Sequence, residues 1–310
     1  MAGAEMRHIF KEHRDLFALN EMEKQQVSSL RQSGYALLSE FFPRELMDHI
    51  FFKADSMFHN LEIDMHYGYS IQTKERMTLE GLSYSELAAS QKTIALQDPL
   101  LRIPEVVDIA FHKSILKIAA NFLGYVPPLY HVTVVRDFPH NRPLHSSNFH
   151  KDNDESDSLQ IFIYLVDIDG THGPLVYVPG SNHYDVRSCR PRLSRDLGVA
   201  ANDGRLSDEE VERVYPRRSW AVLQTRRGSV AAIHGNGIHK GPAWSQLGST
   251  KNRPRTAIKL DLHGHKIGVS RSRDENRMLA SDYARMSDLQ RLFAHATLVE
   301  KEIAHFAHAN

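Results

Sequence analysis

With 310 residues, 41% of them hydrophobic and 25% charged, the chain can bury a sizeable core in one large domain or two. Lys plus Arg equal Asp plus Glu at 38 each, so no global field draws the chain to nucleic acid or to an anionic membrane. A single cysteine, Cys189, excludes a disulfide framework within the chain. No run of about 18 apolar residues exists, so no transmembrane segment is expected.

Cysteine usage and the charged N-terminus, MAGAEMRHIFKEHRD, which lacks a signal peptide's apolar centre, lead us to expect a reducing, cytoplasmic setting. Residues 4–32 read as helical, with Gly34 as the break and Tyr35–Leu38 as a short strand. Pro43 suits a first helical turn, and Leu46, Ile50, Ala54 and Met57 then follow as one buried stripe. Residues 60–104 carry weaker signals: a turn at Tyr67-Gly68-Tyr69, a short helix over Ser83–Ser90, and otherwise a connecting region, with a lid or substrate-facing segment as the alternative. A helix is expected over 105–123, with Phe111, Ile115, Ile118 and Phe122 on one face and Gly124 as its end.

From Leu129 onward the pattern is β. Leu129–Arg136 is β-branched. In 159–166 both alternating sets, Leu159, Ile161, Ile163, Leu165 and Phe162, Tyr164, Val166, are apolar, so this strand should be buried on both sides. Pro174–Val178, Ser229–Ile233 and Thr256–Leu262 are further strands, and short strands broken by Gly and Pro suggest a sandwich, barrel or jelly roll. An insert occupies 181–228. Its stretch 187–227 holds ten Arg, no Lys and six acids, which reads either as a solvated, salt-bridged surface or as a basic wall for an anionic substrate. Ser207 followed by Asp-Glu-Glu starts a short helix within it. Residues 274–308 are expected to form one long helix with the stripe Leu289, Leu292, Ala296, Val299, Ile303 and Phe306, packed on the β-core or carrying a homodimer contact. His295, His305 and His308 fall largely off that stripe and should be solvated.

The chemistry centres on His150 and Asp152. Two residues apart on extended backbone, they point to one face, where a later histidine can complete a two-histidine, one-carboxylate set with open positions for Fe(II). His239 and His234 are the candidates for that third ligand; five residues apart, they face opposite sides of a continuous strand. His131, His140 and His145 read as structural or surface residues, and Tyr164 as a core aromatic. Asp152–Asp157 resembles a calcium loop only superficially, because Asp157 and Ile163 stand where such a loop needs Gly and Glu. Cys189 has no second thiol and no obvious base, and reads as inert.

The ordered set His150-x-Asp152, Gly173-Pro174, Val178-Pro179-Gly180-Ser181, Arg227-Gly228, His234, His239-Lys240-Gly241-Pro242 and Arg255 resembles the phytanoyl-CoA dioxygenase family of Fe(II)/2-oxoglutarate oxygenases over most of residues 30–265. The resemblance implies a double-stranded β-helix (jelly roll), mainly β with flanking helices. One catalytic domain would span 1–310: a helical flank over 1–124 with an early strand, a core over 125–265 and the C-terminal helix. It implies Fe(II) held by His150, Asp152 and His239, with His234 a core or supporting residue. The distal carboxylate of 2-oxoglutarate would be bound by Arg255, for which Arg253 is the rival on the other side of Pro254. O2 is the other cosubstrate, ascorbate a stimulant, and a small molecule the partner. The family's serine two residues after the distal histidine is Gly241 here, which removes one polar cosubstrate contact. The reaction implied is oxidation of a substrate C–H with release of succinate and CO2. Asp152 favours hydroxylation over halogenation, because related halogenases lack that carboxylate. A jelly-roll metalloprotein with isomerase or hydrolase chemistry, or a non-catalytic binding module, are the alternatives.

Overall fold

A side-chain cap decides where the second N-terminal helix begins. In this computed structural model, which describes residues 2–65, 68–69, 76–77, 79–141, 145–152, 158–183, 205–244, 246–263, 276–294 and 296–299, the expected helix over 4–32 is two. Helix α1 (Ala2–Glu12) ends before a 3-10 turn, Arg14–Phe17, and α2 (Glu21–Ser33) starts at an Asn20/Glu23 capping box. There the two side chains satisfy each other's backbone N–H groups, a local bond that outcompetes continuing the first helix. Gly34 ends α2 at φ 83°, a left-handed conformation that glycine adopts without a Cβ penalty. Strand β1 (Tyr35–Leu38) and helix α3 (Arg44–His59) follow as the sequence suggests. The turn expected at Tyr67–Tyr69 is part of a two-stranded hairpin, β2 (Gly68–Tyr69) with β3 (Arg76–Met77); Tyr67 itself lies outside the described residues. Helix α4 (Tyr84–Ser90) is capped by Ser83, and β4 (Thr93–Ala95) and α5 (Pro99–Arg102) lead into the second helical region.

That region also divides. Helix α6 (Pro104–Ala110) stops at Phe111, and α7 (Lys113–Leu123) restarts after an extended His112. Phe111, Ile115 and Ile118 are buried as expected. The single C-terminal helix expected is not formed among the described residues. Residues 276–299 fold instead as β12 (Asn276–Leu279), two short helices, Ala280–Arg285 and Asp288–Phe293, and β13 (Ala296–Val299), with β12 and β13 paired in parallel. Met286 is extended, and Ser287 with Gln290 caps a new helix, so the stripe is cut where local capping wins. Leu289 and Phe293 enter the core, and the described residues do not form the continuous helical stripe on which a homodimer contact was expected. His295, His305 and His308 lie outside the described residues.

The remaining strands are β5 (Leu129–Asp137), β6 (Ser158–Tyr164), β7 (Leu175–Tyr177), β8 (Ala221–Leu223), β9 (Val230–His234), β10 (His239–Lys240) and β11 (Arg255–His263). They form a six-stranded sheet in the order β1-β9-β6-β11-β5-β4 and a three-stranded sheet β10-β7-β8, every pairing antiparallel. Strand β6 is buried on both faces. Leu159, Ile161 and Ile163 pack with β11 residues Ile258, Leu260 and Leu262 under the helices, while Phe162 and Tyr164 pack with Leu175, Tyr177 and Leu223 between the sheets. Two antiparallel sheets closed over a shared apolar layer, with helices on the outer face, make the jelly roll expected of the sequence; the described strands do not close a barrel. The insert is not wholly an excursion. Leu206 pairs with Phe149, Ser207 caps the helix Asp208–Glu212, and β8 is a strand of the smaller sheet. Residues 184–204, with Cys189, and residues 153–157 of the stretch rejected as a calcium loop lie outside the described residues.

Candidate metal centre

Beyond Asn148 the chain runs extended along the edge of the smaller sheet. Phe149 pairs with Leu206, and His150 pairs with His239 through both backbone bonds, His150 N–H to His239 O at 2.8 Å and His239 N–H to His150 O at 2.9 Å. Directly opposed residues on antiparallel strands share a face, and the two imidazoles meet with ring centres 4.4 Å apart. Asp152 donates its N–H to Gly235 O at 2.9 Å, and its carboxylate lies on the face of His150. Gly235 is required there: a Cβ would sit 2.7 Å from Asp152 Oδ2 and 2.2 Å from Ser158 Oγ.

The separations are those of ligands around a shared centre. His150 Nε2 and His239 Nε2 lie 3.7 and 3.8 Å from Asp152 Oδ1, too far for hydrogen bonds, and the ligand atoms of the three residues are all within 4.8 Å of one another. An ion bonded at roughly 2.1 Å fits among them. The far ring nitrogens are already committed: His150 Nδ1 donates to Asn148 O and His239 Nδ1 to Gly237 O, both at 3.0 Å. Those bonds assign the tautomer and leave both Nε2 lone pairs for a metal. Burial pushes the His150 imidazole well below its usual pKa, with the His239 ring next in effect, so it is neutral at physiological pH, as a ligand must be. Gln160 Nε2 donates to Asp152 Oδ2 at 2.9 Å, which leaves Oδ1 facing the histidines.

His234 is turned away. It ends β9 opposite Leu159, and its ring meets Phe122 of α7 edge-on at 5.2 Å, on the helical side of the sheet. Its backbone oxygen accepts the Tyr177 hydroxyl at 3.1 Å, while the Tyr177 ring stacks on His239 with centres 6.2 Å apart and planes 10° apart. Tyr177 fits because Gly34 and Gly237 lack Cβ atoms, which would lie 2.3 and 1.7 Å from its oxygen. Ser181, from Pro179-Gly180-Ser181, accepts from Ile238 N at 2.7 Å and donates to Val178 O at 2.6 Å, fixing the loop before His239. Lys151 points the other way, toward Ser181 O at 3.5 Å.

Arg255 is buried and Arg253 is exposed. Arg255 Nε and Nη2 both donate to Asp137 Oδ2, at 2.9 and 2.7 Å, and Nη1 donates to Gly173 O at 3.1 Å. Of the five guanidinium N–H groups, one on each terminal nitrogen is left over among the described residues. Gly241 faces it closely, an added Cβ lying 3.4 Å from Nη1. Arg253 instead bonds its own loop, donating to Thr250 O and Asn252 O. Burial alone would raise the Asp137 carboxyl; the Arg255 guanidinium and then Lys92 overcome it and hold the group below its usual range.

Two residues escaped the sequence reading. Lys92 is buried beside this pair and donates to Ser146 Oγ; burial, opposed by Asp137, lowers it to about 8. Nothing in Gln91-Lys92-Thr93 marks it. Gln160 did leave a signal, as the one long polar side chain in the apolar strand 158–166. His140 is buried against Trp244, His131 stands on β5 beside Asp261, and the His145 side chain lies outside the described residues. Tyr164 is fully buried in the layer between the sheets, as a core aromatic.

Residues 20–246 match the sequence profile of the family described as Phytanoyl-CoA dioxygenase (PhyH). The chain belongs to the PhyH family. No curated protein matches it in sequence. Among solved structures, this PhyH-family chain is similar in fold to the epimerase SnoN in complex with Fe3+, alpha ketoglutarate and nogalamycin RO, at 16% identity and TM-score 0.53, over 78% of this chain and 83% of that one. The alpha ketoglutarate dependent carbocyclase SnoK is similar at 15% identity and TM-score 0.51, over 80% and 85%. EctD from S. alaskensis with bound Fe is similar at 16% identity and TM-score 0.51, over 80% and 79%. No helix among the described residues is long and apolar enough to cross a membrane.

Proposed function

We propose that the protein is an Fe(II)/2-oxoglutarate-dependent oxygenase that hydroxylates a C–H of a small molecule, with residues 1–310 acting as one catalytic domain. The observation that carries this is the convergence of His150 Nε2, His239 Nε2 and Asp152 Oδ1, each held by a hydrogen bond from the atom behind it or beside it. Two neutral imidazoles and a carboxylate suit Fe(II) and leave open positions. When bound, iron with 2-oxoglutarate and O2 would supply the oxidising equivalents, with succinate and CO2 as coproducts; ascorbate would keep the iron reduced.

The chain's part is binding and exclusion of water. Asn148 O and Gly237 O hold the histidine protons away from the centre, and Gln160 reserves Oδ1 of Asp152 for the metal. Arg255 would take the distal carboxylate of 2-oxoglutarate on its two remaining N–H groups. Lys92 supports that role: Arg255 and Lys92 face one carboxylate, Asp137, so this buried corner carries an excess positive charge suited to an anion. The same ligand set serves desaturation and ring formation, so product analysis assigns the outcome. The test is anaerobic addition of 2-oxoglutarate to the Fe(II) protein, read as a weak visible charge-transfer band, followed by a substrate screen for succinate. Absence of the band at saturating iron would favour a non-oxidative metalloprotein.

A further inference from the structure

Across the two sheets the inner face of the larger one changes character. Beneath the smaller sheet it is apolar: Phe162 and Tyr164 of β6, Ala231 and Ile233 of β9, and Ala257 of β11. Toward the other ends of β5, β6 and β11 the same face is polar. Gln160 is paired with Asp261, and Asp261 with His131; in the next row Phe162 is paired with Lys259, and Lys259 with Thr133. These residues alternate with Leu260, Val132 and Val134, which point to the helices, so they share the face of Ala257 and look toward the metal side. The strip is continuous with the centre, because Gln160 touches Asp152 and stands beside Asp261.

Opposite charges meet within the strip. Lys259 Nζ lies 3.1 Å from Asp261 Oδ2, and His131 Nδ1 lies 3.6 Å from the same oxygen. The Lys259 and His131 side chains are 21% and 29% exposed, so solvent still reaches the strip, whereas Asp261 is at 9%. The buried Thr133 hydroxyl has no partner among the described residues.

We infer that Thr133, Lys259, Asp261 and His131 form the substrate subsite, and that it takes a neutral, hydroxyl-rich molecule of polyol or sugar type, not an acyl chain. An acyl chain laid here would strip water from an ion pair and from an unsatisfied hydroxyl and return no hydrogen bond, which is costly. Hydroxyls can donate to Asp261 and accept from Lys259 and Thr133, replacing that water group for group. Lys259 and Asp261 already face each other, so a hydroxyl, which both donates and accepts, suits this pair better than one more ion. The inference rests on the oxygenase reading, which supplies the reacting centre beside Gln160.

The experiment uses the full chain with Fe(II) and 2-oxoglutarate under argon. Cosubstrate binding is measured first by the visible band; its absence would fail the oxygenase reading alone, since the next step needs no turnover. Saturation-transfer NMR then screens a panel of neutral monosaccharides, disaccharides and cyclitols against a panel of acyl thioesters. We expect transfer to members of the polyhydroxylated panel and none to the acyl thioesters. Asp261→Asn and Lys259→Met should weaken the bound polyol about tenfold or more while the 2-oxoglutarate band stays. Asp261→Asn keeps the shape of the side chain, so unchanged thermal melting separates a binding role from a structural one. No transfer to the polyhydroxylated panel, equal transfer in Asp261→Asn, or transfer to the acyl thioesters would each overturn the assignment.

Discussion

At the scale of single residues, what separates His239 from His234 is which side of the sheet each ring occupies. His239 is joined to His150 by two backbone bonds and faces Asp152, whereas His234 packs on Phe122 among the helices. Iron or Co(II) titration of the apoprotein should therefore show binding abolished in His239→Ala and retained in His234→Ala. Gln160→Leu should weaken binding by about ten- to a hundredfold, the usual effect of removing a partner that orients a ligand. Retention by His239→Ala with loss in His234→Ala would reverse the assignment. The arginines divide in the same way. Arg255→Ala should weaken anaerobic 2-oxoglutarate binding on the order of a hundredfold or more, and Arg253→Ala should leave it unchanged. Since Arg255→Ala also takes a partner from buried Asp137, Arg255→Lys is the companion variant that keeps the charge, and melting curves report on the fold. Lys92 gives the pH dependence. With its pKa at about 8, the cation is present below that pH and lost above it. Cosubstrate affinity should fall as pH rises through this range, and binding near pH 8 should take up a proton, because the bound anion favours the charged form. Calorimetry in buffers of different ionisation enthalpy checks both, and Lys92→Met should flatten the profile; a wild-type profile as flat as the variant's would remove Lys92 from the site.

At the scale of elements, the site depends on how closely β10, β7 and the turn at Gly34 approach one another. The Tyr177 ring fills the gap, stacked on His239 and bonded to His234 O. Gly237→Ala would drive a Cβ into the Tyr177 oxygen, so it should destabilise the protein by about 1–3 kcal/mol, as overpacking does. Adding Tyr177→Phe removes the clashing oxygen and should recover part of that loss. Thermal and denaturant unfolding of the single and double variants measures it, and additive effects would show that the two positions are not coupled. The described part of the insert behaves as local structure. Arg217 pairs with Glu212 at 3.2 Å and lies over the Trp220 ring, and Lys240, next to His239, pairs with Asp208. This arginine meets its own acids, so the solvated, salt-bridged reading holds for it. Among the described insert arginines, Arg205 is the one whose charge reaches His150 and Lys92.

At the scale of the molecule, the three proposed ligands sit on two chain segments about ninety residues apart, joined across the smaller sheet. A metal that binds only the folded arrangement should stabilise the whole chain, by about 2.7 kcal/mol when free metal is a hundred times its Kd. Scanning calorimetry with and without Mn(II) or Co(II) should show a higher Tm for the wild type and no shift for Asp152→Ala. A shift that survives Asp152→Ala would place the bound ion elsewhere.

Much of this was legible in the sequence, because some information is local. The double apolar alternation of β6 announced a strand buried on both faces, the glycines at 34 and 124 marked helix ends, and Ser83 and Ser207 marked helix starts. The ordered motif pointed to His150, Asp152 and His239, which the fold brings together, and to Arg255, whose role as cosubstrate clamp is proposed. Element breaks were misjudged where a side-chain cap decided between two nearly equal backbones: at Asn20, and at Ser287, where an apolar stripe at helical spacing concealed two helices and two strands. Tertiary structure alone brought Gln160 to Asp152, placed Lys92 behind Arg255, and gathered Thr133, Lys259, Asp261 and His131 into one strip. Those contacts depend on sheet register and on which sheet closes over which. Periodicity within a segment specifies which residues share a face, but the partner of that face is chosen by long-range packing.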